Sequence, residues 1–140
     1  MKCDIHIAQA SINNLDEIVE IAIQAYKDHY THLWDDNGVS YLETYFNYKS
    51  FKAYMLPSSL KRLYKIKVDQ ALVGFLTLGF GYNESGDSDP HKMELERIYF
   101  IKEATGKGIG TEVVSFIEDI ARSEGHQYIW LKAMKKSPAV

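Results

Sequence analysis

Residues 105–111, which read TGKGIGT, have the residue types and spacing of an anion-binding loop. The three glycines alternate with other residues, so the backbone can approach a ligand closely. The loop leads into a pattern typical of an amphipathic helix, whose first N–H groups and dipole attract negative charge. A phosphate or a diphosphate is therefore the expected ligand. The alternative is a glycine-rich turn that only shapes the corner between a strand and a helix.

Two familiar phosphate-binding motifs do not match this loop. A Walker A motif needs Gly-Lys-Ser/Thr after its spacer residues, and the loop does not contain that triplet. The dinucleotide-binding fingerprint needs a glycine where Thr111 stands. It also needs an acidic residue about 20 positions further on, where Trp130 and Leu131 stand. The loop therefore belongs to neither class.

Apolar residues at strand and helix spacing surround the loop. The patterns predict strands over residues 3–7, 63–68, 71–79, 93–100 and 128–134. They predict a helix from Leu15 to Tyr30 capped by Asn14 and Glu17, short helices over 39–46 and 51–56, and a helix after the glycine loop that ends at Gly125.

The connections between these elements predict how the sheet is assembled. Asp69-Gln70 would join two antiparallel strands, although it is a poor two-residue turn. Residues 83–91 are acidic and are expected to form a flexible loop. The last strand returns after the second long helix, so it should lie parallel to the strand over 93–100. Together these patterns predict an α/β fold with a parallel strand–helix–strand unit around residues 93–134.

Composition excludes several classes of protein. A chain of 140 residues has room for one domain. Its net charge of −3 is far from that of a nucleic-acid-binding protein, so nucleic acid is not an expected partner. The single cysteine, Cys3, forms no internal disulfide, which fits a cytoplasmic location. The longest uncharged stretch, residues 71–83, is too short to cross a bilayer, so no membrane association is expected.

The loop and its flanking strands resemble the GNAT N-acetyltransferases. In that family Gln or Arg, two residues, Gly, one residue, and Gly or Ala hold the diphosphate of coenzyme A. ELERIYF at residues 94–100 is similar to the family's fourth strand, and YIWLKAM at residues 128–134 to its fifth. YLETYFN at residues 41–47 resembles the spermidine and spermine N-acetyltransferase branch.

This resemblance implies a GNAT-like domain over residues 1–140, with a mixed, mostly antiparallel central sheet flanked by helices. It implies acetyl-coenzyme A as co-substrate and no metal. Backbone groups of the fourth strand would bind the pantetheine arm, and loop amides would bind the diphosphate. The implied coenzyme-binding residues are Ile98, Tyr99, Phe100, Thr105, Gly106, Lys107, Gly108, Ile109, Gly110 and Thr111.

Glu94 and Glu96 are the candidate catalytic residues. They lie two apart on one strand and therefore share a face. The resemblance implies that one of them takes the proton of the acceptor amine. Glu96 is favoured because it is nearer the point where the family's strands splay. The alternative is an edge strand with two solvated carboxylates.

Aromatic residues of the first half are candidates for the wall of an acceptor pocket. The candidates are Tyr26, Tyr30, Trp34 and Tyr41. Aromatic side chains at helical spacing also pack in cores, which is the alternative. Acidic clusters at residues 35–36 and 87–89 favour a cationic acceptor.

Two features depart from the family pattern. Thr105 stands where the family usually has Gln or Arg. The chain stops at Val140, where the family continues into a helix, whose tyrosine protonates the departing thiolate, and further strands. The expectation is a domain cut short at its carboxyl terminus. An exposed edge at residues 128–134 would then favour a homodimer or a less stable fold.

The predicted function is transfer of an acetyl group from acetyl-coenzyme A to a small primary amine, such as a polyamine, by direct attack. The alternative is a non-catalytic acyl-coenzyme A binding or regulatory module. The sequence specifies neither the amine nor the length of the acyl chain.

Overall fold

A computed structural model of the chain describes residues 4–29, 39–56, 60–82, 85 and 87–131. The described residues form five strands and four α-helices. In chain order these are β1 (Ile5–Gln9), α1 (Leu15–His29), α2 (Val39–Tyr45), α3 (Tyr48–Lys52), β2 (Lys61–Val68), β3 (Ala71–Tyr82), β4 (Ser88–Phe100), α4 (Ile109–Glu124) and β5 (Tyr128–Leu131).

The five strands form one sheet in the order β1-β2-β3-β4-β5. The first three pairings are antiparallel, and β4 pairs with β5 in parallel. The parallel pairing joins residues 92–95 of β4 to residues 128–131 of β5, with Leu95 opposite Leu131. The structure thus confirms the predicted mixed, mostly antiparallel sheet and its parallel strand–helix–strand unit.

Each face of the sheet supports its own hydrophobic core. Alternation along β3 directs Leu76 and Leu78 into the core beneath α4, and Phe75 into the core beneath α1, α2 and α3. All three side chains are fully buried. Burial of each stabilises the fold by about 1.5–3 kcal/mol, so the sheet is fixed from both sides.

On the face of the sheet that α4 covers, a charged pair holds α4 against β2. The Arg62 guanidinium donates two hydrogen bonds, 2.8 and 2.7 Å long, to the two carboxylate oxygens of Glu124. These bonds lower the pKa of Glu124 below its usual value. The guanidinium also lies 4.1 Å from the ring centroid of Phe80. The last turn of α4 is therefore anchored to the sheet.

The hairpin between β2 and β3 forms despite its unusual turn residues. Asp69 and Gln70 both adopt positive φ, 49° and 73°, which a two-residue turn matched to the twist of the strands requires. The Asp69 carboxylate accepts a hydrogen bond from the backbone N–H of Asp4 at 3.0 Å. The Asp69 N–H donates to the Asp4 carbonyl at 2.8 Å. The turn is thus fixed by the chain segment that leads into β1.

Three local predictions were wrong. The short helix predicted over residues 51–56 begins earlier, at Tyr48, and ends at Lys52, and a 3-10 turn over Ala53–Met55 follows it. Strand β4 begins at Ser88, inside the segment predicted as a loop, because Tyr82 pairs with Ser88 and the Gln127 N–H donates to the His91 carbonyl at 2.7 Å. The predicted cap of α1 is replaced by a short 3-10 turn, Ile12–Asn14, that begins after Ser11. The Asn14 side chain points back and accepts from the Ser11 N–H at 3.2 Å.

We expect Gly74→Ala to destabilise the fold strongly. Gly74 lies opposite Phe100 in the sheet, and an added Cβ would overlap the Tyr99 carbonyl oxygen and lie 2.8 Å from the Phe100 Cα. Because backbone atoms cannot move aside cheaply, the free energy of unfolding should fall by ~2 kcal/mol or more. Urea denaturation measures the change. Gly110→Ala, whose added Cβ would meet nothing within 4 Å, is the control.

Strand β5 is the outer strand of the described sheet, and its Tyr128 and Ile129 side chains are substantially exposed. The predicted homodimer through this strand stays a prediction. None of the helices in the described residues is long and apolar enough to cross a membrane.

Candidate functional site

The glycine loop lies between the short 3-10 turn Lys102–Ala104, which follows β4, and the start of α4. Gly106 and Gly108 have φ of 81° and 82°, a left-handed conformation that glycine adopts without strain. Gly108 is the residue that immediately precedes α4. The glycines at these two positions are therefore required by the path of the backbone itself.

Gly110 has a different reason to be glycine. It lies in the first turn of α4 without a positive φ, and an added Cβ would meet nothing within 4 Å in the described structure. The backbone would therefore accept a side chain at this position. Glycine leaves the space in front of the helix start open to a molecule from outside.

Backbone N–H groups at the start of α4 face this space. The first bond of the α4 ladder runs from the Glu112 N–H to the Gly108 carbonyl at 3.2 Å. The amides of Ile109, Gly110 and Thr111 precede it, so they have no acceptor within the helix. The Ile109 side chain is buried in the α4 core and fixes the position of the first turn. These amides and the open space fit a diphosphate.

A shallow groove of about 730 Å³ continues from the helix start along α4. Its lining residues are Gly110, Thr111, Val114, Ser115, Glu118 and Arg122. All six of these residues are exposed, so the groove is part of the open outer surface of α4.

The two candidate carboxylates lie on one face of β4. Glu94 is opposite Gly79, which is itself opposite Lys61 on β2. Glu96 is the extra residue of a β-bulge, because Thr77 pairs with Arg97 while the next residue of β3 pairs with Leu95. A bulge redirects a side chain and interrupts the ladder. The bulge at Glu96 directs the side chains of both Glu96 and Arg97 to the face of the sheet that α1, α2 and α3 cover.

The Glu96 carboxylate is held by three neighbouring groups. The Tyr54 hydroxyl donates a hydrogen bond to Oε1 at 2.5 Å. The Lys61 ammonium lies 2.6 Å from Oε2, and the Arg97 Nε lies 3.9 Å from Oε1. The Glu96 side chain is 16% exposed, so the carboxylate is largely enclosed but reachable. Glu94 is more deeply buried, at 5%.

Tyr54 is a stable donor to this carboxylate. Burial raises the pKa of the Tyr54 phenol well above its ordinary value, and the hydrogen bond to Glu96 raises it further, although Arg97 opposes the shift. The phenol therefore stays protonated at neutral pH. It can orient the Glu96 carboxylate without competing with it for a proton.

Sequence reasoning missed Tyr54, Lys61 and Arg97. Tyr54 is 42 residues from Glu96 in the chain, and nothing in its local pattern distinguishes it from a core aromatic. Arg97 is next to Glu96, but alternation would place it on the opposite face. The β-bulge brings it to the same face.

The predicted pocket aromatics have different positions. Tyr26 has no exposed surface, and its ring centroid is 5.3 Å from that of Phe46 and 6.0 Å from that of Tyr99. This placement favours the alternative, a role in the core. Tyr30 and Trp34 lie outside the described residues. Tyr41 lies on α2, and its side chain is likewise outside the described part.

The three predicted strand residues of β4 are half-buried. Ile98 and Phe100 pack against the α4 core, and Tyr99 packs against the core of the other face. Their backbone contacts with a ligand stay a prediction. In the loop, Thr105 and Lys107 are both exposed. No group of three or more His, Cys, Asp or Glu side chains suited to a metal ion occurs in the part of the chain that the structure describes.

The comparison with known families identifies the class of this protein. The model of the Acetyltransferase (GNAT) family matches residues 18–139, so the chain belongs to the GNAT acetyltransferase family. The resemblance to the spermidine and spermine branch stays a prediction.

Individual relatives agree with this assignment. A Lactobacillus delbrueckii subsp. lactis protein named "Uncharacterized N-acetyltransferase in pepI 3'region" is 27% identical over 132 residues, 91% of this chain and 73% of that protein. The PaiA N-acetyltransferase of Thermoplasma acidophilum, solved in complex with coenzyme A, has a TM-score of 0.80 at 21% identity, over 97% of this chain and 83% of that one. A ribosomal-protein-alanine N-acetyltransferase from Brucella melitensis biovar Abortus 2308 has a TM-score of 0.62 at 19% identity, over 94% and 82%.

Proposed function

We propose that this chain binds acetyl-coenzyme A and transfers the acetyl group to a small primary amine. The observation that carries the proposal is the largely enclosed Glu96 carboxylate on β4, the strand that leads into the glycine loop. Membership of the GNAT family supports it. The coenzyme A bound by the similar T. acidophilum enzyme supports the choice of donor.

The glycine loop is the proposed site of the coenzyme diphosphate. The amides of Lys107, Gly108, Ile109 and Gly110 would donate to the phosphate oxygens, and Thr111 lies beside them in the first turn of α4. Backbone groups of residues 98–100 would bind the pantetheine arm as an added strand does. The bound coenzyme supplies a thioester carbonyl for attack.

Glu96 is the proposed general base, with Glu94 as the alternative. An ammonium group has no lone pair, so the acceptor must lose a proton before it attacks a carbonyl carbon. The Glu96 carboxylate can take that proton while Tyr54 keeps it oriented. Backbone amides near Ile98 would polarise the carbonyl, and the amine would attack it directly without a covalent enzyme intermediate.

We expect a cationic amine, in particular a polyamine, to be the preferred acceptor. The net charge of −3 and the acidic residues Asp87 and Asp89 favour capture of a cation. Among polyamines, amino sugars and peptide amino termini, polyamines should show the highest kcat/KM. This value should fall as salt rises, because added ions screen the attraction. A preference for a neutral or anionic acceptor would contradict the expectation.

A non-catalytic acyl-coenzyme A binding module is the second candidate. The observation that favours it is that both oxygens of Glu96 already have partners within the chain, Tyr54 and Lys61. Thr105 also lacks the longer side chain that the family usually places there. Thiol release from acetyl-coenzyme A, measured with the amine panel, separates the candidates. Tight coenzyme binding without release for any amine would favour the binding module.

A further inference from the structure

Asp28 on α1 contacts the segment that leads into the glycine loop. Its Oδ2 accepts a hydrogen bond from the backbone N–H of Lys102 at 3.0 Å, although the two residues are 74 positions apart in the chain. Its Oδ1 accepts a hydrogen bond from the side-chain amide of Gln24 at 2.8 Å. One oxygen of this half-buried carboxylate is therefore bonded within α1, and the other is bonded to the turn that follows β4.

Asp28 has an unfavourable position on its own helix. It lies in the last turn of α1, which ends at His29. The carbonyl groups at the end of a helix carry partial negative charge, so they repel a carboxylate. The bonds from Gln24 and Lys102 offset this repulsion. Of the two, only the bond from Lys102 gives Asp28 a role outside its own helix.

The backbone of Lys102 connects Asp28 to the start of the glycine loop. Lys102 begins the 3-10 turn Lys102–Ala104, and the first N–H of such a turn has no acceptor within it, so Asp28 supplies the acceptor. The Thr105 N–H then donates to the Lys102 carbonyl at 3.0 Å. Ala104 is buried in the α4 core. Asp28 thus supports the first residue of the turn, and core packing supports the last.

The glycine loop depends on this turn for its direction. Residues 105–108 are all exposed, so packing against the cores does not fix them. Gly106 and Gly108 restrict the backbone little. The direction in which the chain leaves the turn therefore largely determines where the loop amides point.

We propose that Asp28 is a positioning residue for the coenzyme, because its bond to the Lys102 N–H holds the glycine loop in the arrangement that receives the diphosphate. This rests on the proposed function, which places the diphosphate on the loop amides. Without the bond, the loop adopts that arrangement for a smaller fraction of the time, and the apparent affinity falls by the same factor. The coupling is reciprocal, so bound coenzyme should also stabilise the bond.

The experiment compares Asp28→Ala and Asp28→Asn with the natural chain. Alanine removes the acceptor, whereas asparagine removes the charge but keeps an oxygen that can accept from the Lys102 N–H. Calorimetric titration with coenzyme A should give a dissociation constant about tenfold higher for Asp28→Ala and about threefold higher or less for Asp28→Asn. The thermal transition of Asp28→Ala should be kept, because alanine favours the helix and removes the repelled charge.

Steady-state kinetics separate positioning of the coenzyme from a general effect on the fold. Asp28→Ala should raise the KM for acetyl-coenzyme A and leave kcat at saturating coenzyme unchanged, because excess coenzyme restores the bound arrangement of the loop. Hydrogen exchange followed by NMR reports the Lys102 amide directly. This amide should exchange faster in Asp28→Ala than in the natural chain, and coenzyme A should slow its exchange in the natural chain.

Gln24→Ala is the matched control, one turn earlier on α1. It removes the other partner of the Asp28 carboxylate and leaves the bond from Lys102 in place. Affinity for coenzyme A should therefore change by less than about twofold. An equal loss of affinity in Gln24→Ala and Asp28→Ala would assign the effect to α1 as a whole and overturn the proposal. A loss in Asp28→Asn as large as that in Asp28→Ala would also overturn it, since the acceptor oxygen would then not matter.

Calorimetry on the natural chain distinguishes failure of this inference from failure of the proposed function. If the natural chain binds coenzyme A and Asp28→Ala binds it equally tightly, only the role of Asp28 is wrong. If the natural chain does not bind coenzyme A, the proposed function is wrong and the role of Asp28 is wrong with it.

Discussion

Replacing Glu96 with glutamine should lower the rate of acetyl transfer to an added amine by ~100-fold or more. Glutamine has the same shape and keeps an oxygen that can accept from Tyr54, but it cannot take a proton from an ammonium group. Coenzyme affinity should be unchanged, because Glu96 is not part of the glycine loop. Initial rates of thiol release, with coenzyme binding measured by calorimetry, test both expectations.

Glu94→Gln is the control for this variant. Glu94 lies on the same face of β4 but is more deeply buried than Glu96. Its replacement should therefore reduce the rate less. Equal losses in the two variants would assign the proton transfer to the pair rather than to Glu96. Full activity in both single variants and in the double variant would show that the proton goes to another group.

The sheet was largely predictable because its signals are local. Alternation over residues 63–68 and 71–79, with a turn between them, is enough to predict a hairpin. Around residues 93–134 the order is strand, loop, helix and strand. A strand that returns to the sheet after such a helix lies parallel to the strand before it. The start of β4 was not predictable, because Ser88 extends the strand only through pairing with Tyr82 and bonds to residues 126–127.

The partners of Glu96 could not be predicted from the sequence. Lys61 lies on β2 and Tyr54 follows α3, so only the folded sheet brings them to β4. The bulge that turns Arg97 to the same face has no local sequence signal such as glycine. The sequence therefore identifies the candidate carboxylates Glu94 and Glu96, but it does not identify the groups that surround Glu96 in the folded chain.

Gly110→Ala should change stability and coenzyme affinity in opposite directions. Alanine favours the helix over glycine by up to ~1 kcal/mol, and its Cβ would meet nothing within 4 Å in the chain, so the thermal transition should rise. The same Cβ would enter the space in front of the Gly110 amide. Loss of one charge-assisted hydrogen bond there, about 2 kcal/mol, corresponds to a ~30-fold loss of affinity.

Gly110 tests the loop more cleanly than Gly108. At Gly108 a side chain would strain a backbone with φ of 82°, so lost binding would not distinguish a blocked site from a distorted loop. Ser123→Ala, in the last turn of α4, is the matched control. It should also favour the helix, but it should leave coenzyme affinity unchanged because it is far along the helix from the loop. Scanning calorimetry and titration with coenzyme A measure the two quantities on each variant. If Gly110→Ala raises the thermal transition yet binds coenzyme A as tightly as the natural chain, the diphosphate does not lie on the amides at the start of α4, and the loop serves only to shape the corner between β4 and that helix.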